Sequence, residues 1–180
     1  MAKASAALRR PVRFVRTRPA APAQSPIHLR KATTADADVI HGLILDHLAE
    51  GHLLPRERNE ISAHASRFVV AVQHGAVVAC AELAPLSGAV GEVRSFVVSR
   101  QVRSRGVGRR LIDAIVAAAR DAGLVRLCAF THSPGYFVHL GFSLVPHTWL
   151  PEKIAIDCRE CRHFRACGQY AVLRSLVNHG

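Results

Sequence analysis

The run "GEVRSFVVSRQVRSRGVGRRLIDAIVAAAR" at residues 91–120 decides the fold. Residues 91–99 are rich in apolar side chains and predict a strand. Residues 106–122 predict a helix, with Ile112, Ile115, Val116 and Ala119 on one stripe and Gly123 as its stop. Between them lies "RSRGVGRR" (103–110), a basic loop with two glycines. A strand feeding a Gly-rich loop that opens a helix presents backbone N–H groups with no partner inside the helix. With the helix dipole, those donors form an anion site. Gly106 and Gly108 would let phosphate oxygens approach the backbone, and Arg103, Arg105 and Arg109 add positive charge. A plain surface turn is the competing reading. A Walker loop is excluded, because no Gly-Lys-Ser/Thr ends the segment, and the dinucleotide fingerprint lacks its third glycine. A pyrophosphate-binding loop of another kind remains.

Outward from this unit the chain alternates between the two periods. "IHLRKA" (27–32) predicts a strand, and "TTADADVIHGLILDHLAEG" a helix capped by Thr33 or Thr34, with Asp36 and Asp38 in its first turn. "PRERNEISAHAS" predicts a second helix with Pro55 at its start. "RFVVAVQ" and "AVVACAELA" predict a hairpin through His74-Gly75. "VRLCAFT" predicts a fifth strand, "SPGYFVHLG" a short helix or turn, "FSLVPHTW" another strand and "QYAVLRSL" a last strand, with a helix as its alternative. A meander followed by a strand–helix–strand crossover implies a mixed α/β sheet.

At 180 residues and 49% hydrophobic content, one core is expected, and no apolar run reaches the ~20 residues of a membrane span. The net charge of +11 is unevenly placed. Lys3, Arg9, Arg10, Arg13, Arg16 and Arg18 fall in residues 1–26, which hold no acid, so the remainder carries only +5. Residues 1–26 read as a basic, disordered tail ahead of a domain at 27–180. A transit peptide and a nucleic-acid contact are the competing readings of the tail. Cys80 and Cys128 sit inside strand patterns as small core residues, which suits a reducing, cytoplasmic setting.

"RSRGVG" resembles the Arg/Gln-x-x-Gly-x-Gly/Ala loop of the GNAT N-acetyltransferase superfamily, and "YFVHLGF" (136–142) its second signature, an aromatic followed by Leu-Gly-Phe. The likeness covers residues 27–150. "LLPRERNEISAHASRFVVAVQHGAVVACAEL", "GEVRSFVV", "LCAFT" and "LPEK" further resemble the acetyltransferase domain of N-acetylglutamate synthases, particularly short bacterial forms. Larger members carry an amino-acid-kinase domain in front, for which these 180 residues leave no room. The resemblance implies a mixed, mostly antiparallel sheet flanked by helices, with acetyl-CoA in a cleft between two splayed central strands. It implies acetyl transfer to the α-amino group of a small amino acid, L-glutamate first, the opening step of arginine biosynthesis. Acetylation of a protein N-terminus, a lysine or a polyamine is the rival within the fold, and a non-catalytic binding module the rival outside it. The expected partner is the small-molecule acceptor, with a second copy of the chain as a further candidate; membrane and nucleic acid are not expected.

Acetyl transfer from a thioester needs a neutral amine, a stabilised oxyanion and a thiolate that can leave. Glu92 is the candidate general base, as implied by the matching Gly-Glu-Ile/Val segment of the synthases; its bland alternative is a surface carboxylate at a strand edge. Val97 and Val98 are the expected oxyanion donors, and Phe96 shares the cofactor strand. The cofactor loop is Arg103, Ser104, Arg105, Gly106, Val107, Gly108 and Arg109. Many members place a tyrosine four residues before the signature glycine, but here that position is Phe137, and Tyr136 points about 100° away on a helix. The synthases instead imply a hydroxyl at the end of the fifth strand, where Thr131 stands with His132 beside it. Arg56, Arg94 and Lys153 are the candidate carboxylate binders, or else solvated surface charges.

The segment "CRECRHFRAC", in a Cys-rich extension at 151–168, sets Cys158, Cys161 and Cys167 around His163. A structural zinc or iron–sulfur site, a disulfide under oxidation, and free thiols all fit one C-x-x-C with a third cysteine.

Overall fold

The computed structural model describes residues 25–51, 53–161 and 163–177. Most of the basic tail read from the sequence, residues 1–24, lies outside that range. Seven strands form one sheet: β1 (His28–Lys31), β2 (Phe68–Gln73), β3 (Ala76–Pro85), β4 (Val90–Val98), β5 (Arg126–Thr131), β6 (Ser143–Val145) and β7 (Tyr170–Ser175). Their spatial order is β1-β2-β3-β4-β5-β7-β6. Every pairing is antiparallel except β4 with β5. Helices α1 (Ala37–Leu48) and α2 (Arg58–Ala63) precede β2, α3 (Val107–Asp121) joins β4 to β5, and α4 (Pro134–Val138) follows β5. No helix among the described residues is long and apolar enough to cross a membrane.

Strand alternation divides the core between two faces. Val69, Ala71, Ala79 and Ala81 pack with Leu111, Ile112, Ile115 and Val116 of α3. Phe68, Val70, Val72 and Cys80 pack with Ile40, Leu43 and Ile44 of α1 and Ile61 of α2. Side chains two apart on a strand share a face. Val93 and Val97 of β4 break this rule, for Val93 joins the α3 side and Val97 the α1 side. The reason is a bulge. Glu82 pairs with Arg94 and Cys80 with Val97, so Ala81 faces both Ser95 and Phe96. Ser95 takes up the extra residue in the left-handed region, at φ 48°. Its Oγ accepts a hydrogen bond from Arg56 (3.1 Å), and its carbonyl accepts one from Cys80 Sγ (3.4 Å).

The α1 entry is more elaborate than a single cap. The turn Thr34–Asp36 leads into the helix. Asp36 receives the Thr33 amide (2.8 Å) and hydroxyl (3.1 Å) and both arms of Arg30 (2.7 Å each). The Arg30 hydrogen bond, then the Thr33 donors, hold the Asp36 carboxyl well below the usual carboxylate range against the opposing effect of burial. A depressed carboxyl stabilises the fold above its unfolded value near 3.9 and loses that contribution as pH falls further. Asp36→Asn is expected to cost about 1.5–3 kcal/mol at pH 7. It should also flatten the loss of stability between pH 4 and 2, as read by urea unfolding across that range.

Two expected elements differ. Pro55 does not open α2, which begins at Arg58; residues 53–57 are extended or irregular. "FSLVPHTW" is a strand only over Ser143–Val145, because Pro146 ends it and His147–Trp149 form a 3-10 turn.

Candidate active site

β4 and β5 pair only over Val90–Glu92 with Arg126–Cys128, although β4 continues to Val98 and β5 to Thr131. Beyond those three pairs the strands part, and the gap forms a cleft of about 980 Å³. The C-terminal end of β4 runs toward the loop that opens α3, and its N-terminal half carries Glu92 and Arg94.

At the loop end, Gly106 caps α3 at φ 74° and ψ 3°, and a Cβ there would meet nothing. The glycine therefore answers to its backbone conformation rather than to space. The first intrahelical bond runs from the Arg110 amide to the Gly106 carbonyl (3.1 Å), so the amides before Arg110 have no acceptor within the helix. Arg103, Ser104, Gly106, Val107, Gly108 and Arg109 line the cleft. Arg105 does not; its Nη1 lies 3.5 Å from Gln73 Oε1. Arg103 donates to the Val98 carbonyl (2.9 Å) and to Glu50 (2.7 Å), which Arg100 also reaches (2.9 Å). Arg103 first, then Arg100, holds the Glu50 carboxyl down to about 2.

Gly108, which lines the cleft, also serves a purpose beyond the one expected of it. A Cβ there would stand 2.3 Å from the Tyr136 hydroxyl and 3.1 Å from Phe96 Cζ. The glycine thus admits an aromatic lid: Tyr136 stacks on Phe96 at 5.7 Å, while Phe137 turns into the core. Burial raises the Tyr136 phenol, which stays protonated at neutral pH. Gly108→Glu drives a side chain and a like charge into the anion site. Acetyl-CoA affinity should fall by tenfold or more, the scale of a lost charge-assisted bond at about 1.5–3 kcal/mol. Calorimetry on the folded variant checks it, and unchanged affinity rejects the loop assignment.

Val97 and Val98, the two expected oxyanion donors, both line the cleft, but their amides point opposite ways. The Ser99 amide bonds back to the Val78 carbonyl (2.9 Å), and the Val97 amide lies against Cys80 Sγ, so both point toward β3. Backbone direction alternates along a strand, which turns the Val98 amide toward the parted side. Thr131 lines the cleft, and its Oγ1 accepts the Ser133 amide (3.0 Å), leaving its own hydrogen to donate. His132 is not a lining residue; its ring lies near Gly168.

The other end of the cleft is a network of ion pairs. Glu92 is only 3% exposed, which removes the surface-carboxylate reading. Arg94 Nε (2.5 Å) and Lys153 Nζ (2.8 Å) both reach it, and both cations also hold Asp157. The bulge lies beyond Arg94, so Glu92 and Arg94 share one side. Arg56 bonds Glu60 through Nε and Nη2, and Glu82 through Nη1 (2.9 Å). Glu60, Glu82 and Asp157 did not stand out in the sequence. A lone acid between apolar residues of a strand, as Glu82 is, was the one available signal. None of the three predicted carboxylate binders is a solvated surface charge.

The predicted metal ligands are not gathered. Cys158 ends the π-helical turn Ile154–Cys158, the Cys161 amide turns back to its carbonyl (3.1 Å), and Cys167 is exposed after Phe164–Ala166. Among the described residues no three His, Cys, Asp or Glu side chains lie close enough to hold a metal, so the zinc or iron–sulfur expectation for Cys158, Cys161, His163 and Cys167 is not met.

Comparison with known proteins agrees with this geometry. An uncharacterized N-acetyltransferase of Chlorobaculum tepidum is 30% identical over 148 residues, covering 82% of this chain and 96% of its own. An amino-acid acetyltransferase of Neisseria meningitidis is 33% identical over 74% of this chain, which spans only 31% of that protein. Among solved structures, N-acetylglutamate synthase of Neisseria gonorrhoeae, complexed with coenzyme A and N-acetyl-glutamate, superposes with a TM-score of 0.77. It is 28% identical, covering 86% of this chain and 36% of the synthase. The profile of the acetyltransferase (GNAT) family matches residues 38–142. The parted strands, the Gly-capped basic loop and these matches together make the chain a member of the GNAT family, an N-acetyltransferase.

Proposed function

We propose that the protein transfers acetyl from acetyl-CoA to the α-amino group of a small amino acid, with L-glutamate as the acceptor. The observation that carries this reading is the placement of Glu92, a buried carboxylate in the wall of a cleft whose other end is a helix start with unpaired amides. The α3 amides, Arg103 and Arg109 take the pyrophosphate. Glu92 removes a proton from the ammonium group, directly or through water. The nitrogen lone pair attacks the thioester carbonyl, the C–N bond forms, and the Val98 amide stabilises the oxyanion. The C–S bond then breaks, and the thiolate leaves with its electron pair and takes up the second proton from the nitrogen, giving the neutral amide and the thiol. A thiol with a pKa of about 8.5 needs little acid help, so the Thr131 hydroxyl positions rather than protonates.

Arg56, Arg94 and Lys153 support a carboxylate-bearing acceptor, as does the likeness to synthase domains. On this reading the reaction opens arginine biosynthesis in a reducing cytoplasm. A cationic acceptor such as a polyamine is the second reading, favoured by the acids that match those three cations. Thiol release from acetyl-CoA against L-glutamate, L-glutamine, spermidine and a lysine peptide separates the two. Glutamate is expected to be preferred; preference for spermidine or the peptide overturns the amino-acid reading and leaves acetyl transfer standing.

A further inference from the structure

Every cation at the acceptor end is already engaged by a carboxylate of the protein, and this constrains any acceptor that brings its own. A guanidinium has five N–H groups. Nε and Nη2 of Arg56 hold both oxygens of Glu60, at 3.0 and 2.7 Å. Nη1 holds Glu82 Oε2 at 2.9 Å and Ser95 Oγ at 3.1 Å. A single N–H is left over, which cannot give the two-point contact that makes arginine a good carboxylate receptor. Lys153 is likewise shared between Glu92 and Asp157, with the Phe130 ring 5.3 Å away.

The acids are not equally free to leave. The Glu82 side chain is 1% exposed and that of Glu92 3%, so stripping either of its cation would strand a buried charge. Asp157 is gripped by two cations. Glu60 is different. Its side chain is 41% exposed, it sits on the six-residue α2, and among the described residues Arg56 alone holds it. It also lines the cleft.

We infer that Glu60 is a displaceable internal carboxylate, occupying on the Nε/Nη2 edge of Arg56 the place that a carboxylate of the acceptor takes. This rests on the reading of the site as one for an amino acid. The exchange is carboxylate for carboxylate. Arg56 is never left unpaired, Glu82 never loses its cation, and Glu60 swings into water. An amine without a carboxylate leaves Glu60 where it is. Glu60 thereby sets both the apparent affinity for acidic acceptors and the selection between acidic and neutral ones.

The test compares the parent with Glu60→Gln, which keeps the length of the side chain but not the charge that competes for Arg56. The acceptors are L-glutamate and L-glutamate diamide, which keeps the α-amine and has no carboxylate. KM for glutamate should fall about two- to fivefold, the worth of a partly exposed ion pair. KM for the diamide and for acetyl-CoA should not move. An equal fall in KM for both acceptors, or an unchanged KM for glutamate in a parent that uses it, overturns the inference alone. A fall in kcat for both acceptors at constant KM marks a structural role only and overturns it as well. A parent that acetylates neither compound but does acetylate spermidine removes the amino-acid reading, and this inference with it.

Discussion

Glu92→Gln is expected to lower turnover by about 10²–10⁴-fold, the contribution of a positioned general base, with acetyl-CoA binding retained. The amide matches the carboxylate in size and can still accept from Arg94 and Lys153, but it cannot take the proton of the incoming ammonium group. Asp157 still pairs both cations in the variant, so the wall of the cleft keeps its shape. Turnover at saturating acceptor and calorimetry with acetyl-CoA are the two measurements. Parental turnover with a parental pH–rate profile would assign the deprotonation to another group.

Arg56→Ala is expected to act twice. It strips the cation from Glu82, whose side chain is 1% exposed, and breaking a buried pair from one side costs about 3–5 kcal/mol. It also releases Ser95 Oγ, so the β4 bulge loses one of its two ties. Urea unfolding should show the loss in its midpoint. Glutamate use should fall by about 10- to 150-fold if Arg56 contacts an acceptor carboxylate at about 1.5–3 kcal/mol. An acceptor without carboxylates should be barely affected in the fraction that folds. An unchanged unfolding midpoint would mean that Glu82 finds another partner.

How far the sequence could be read depended on the range of the physics involved. The β4-loop-α3 unit was legible because its signals are local: apolar runs, two glycines and a helical stripe within thirty residues. Glu92 and Thr131 were legible through likeness to a family, and the cleft brings both to its wall. The ion pairs were not. Arg56 meets Glu82 across 26 positions and Lys153 meets Glu92 across 61, and no periodicity reports which charge lies against which. The orientation of Val97 depended on one bulged residue, which reverses everything after it on the strand. Gly108 was legible as room for a ligand, but the room it also leaves for Tyr136 was not, because that contact is set by the packing of α4. Pro146 was given to a strand that it borders instead, and Pro55 to a helix that begins three residues later.

The parting of β4 from β5 also divides the molecule's cooperativity. Strands β1 to β4 form one hydrogen-bonded ribbon and β5, β7 and β6 another, stitched by three residue pairs, by α3, by the Phe96–Tyr136 stack and by the ion pairs of Glu92 and Arg94 with Lys153 and Asp157. Opening along that stitch exposes far less than unfolding either ribbon, so it should be the cheapest sub-global fluctuation of the fold. Native-state hydrogen exchange would then find the amides paired across the seam, over Val90–Glu92 and Arg126–Cys128, exchanging before those paired within either ribbon. A bound donor, touching both ribbons, would close the difference by raising the cost of separating them with the logarithm of its concentration over Kd. A ligand-saturated protein should therefore exchange as one unit where the free protein exchanges as two.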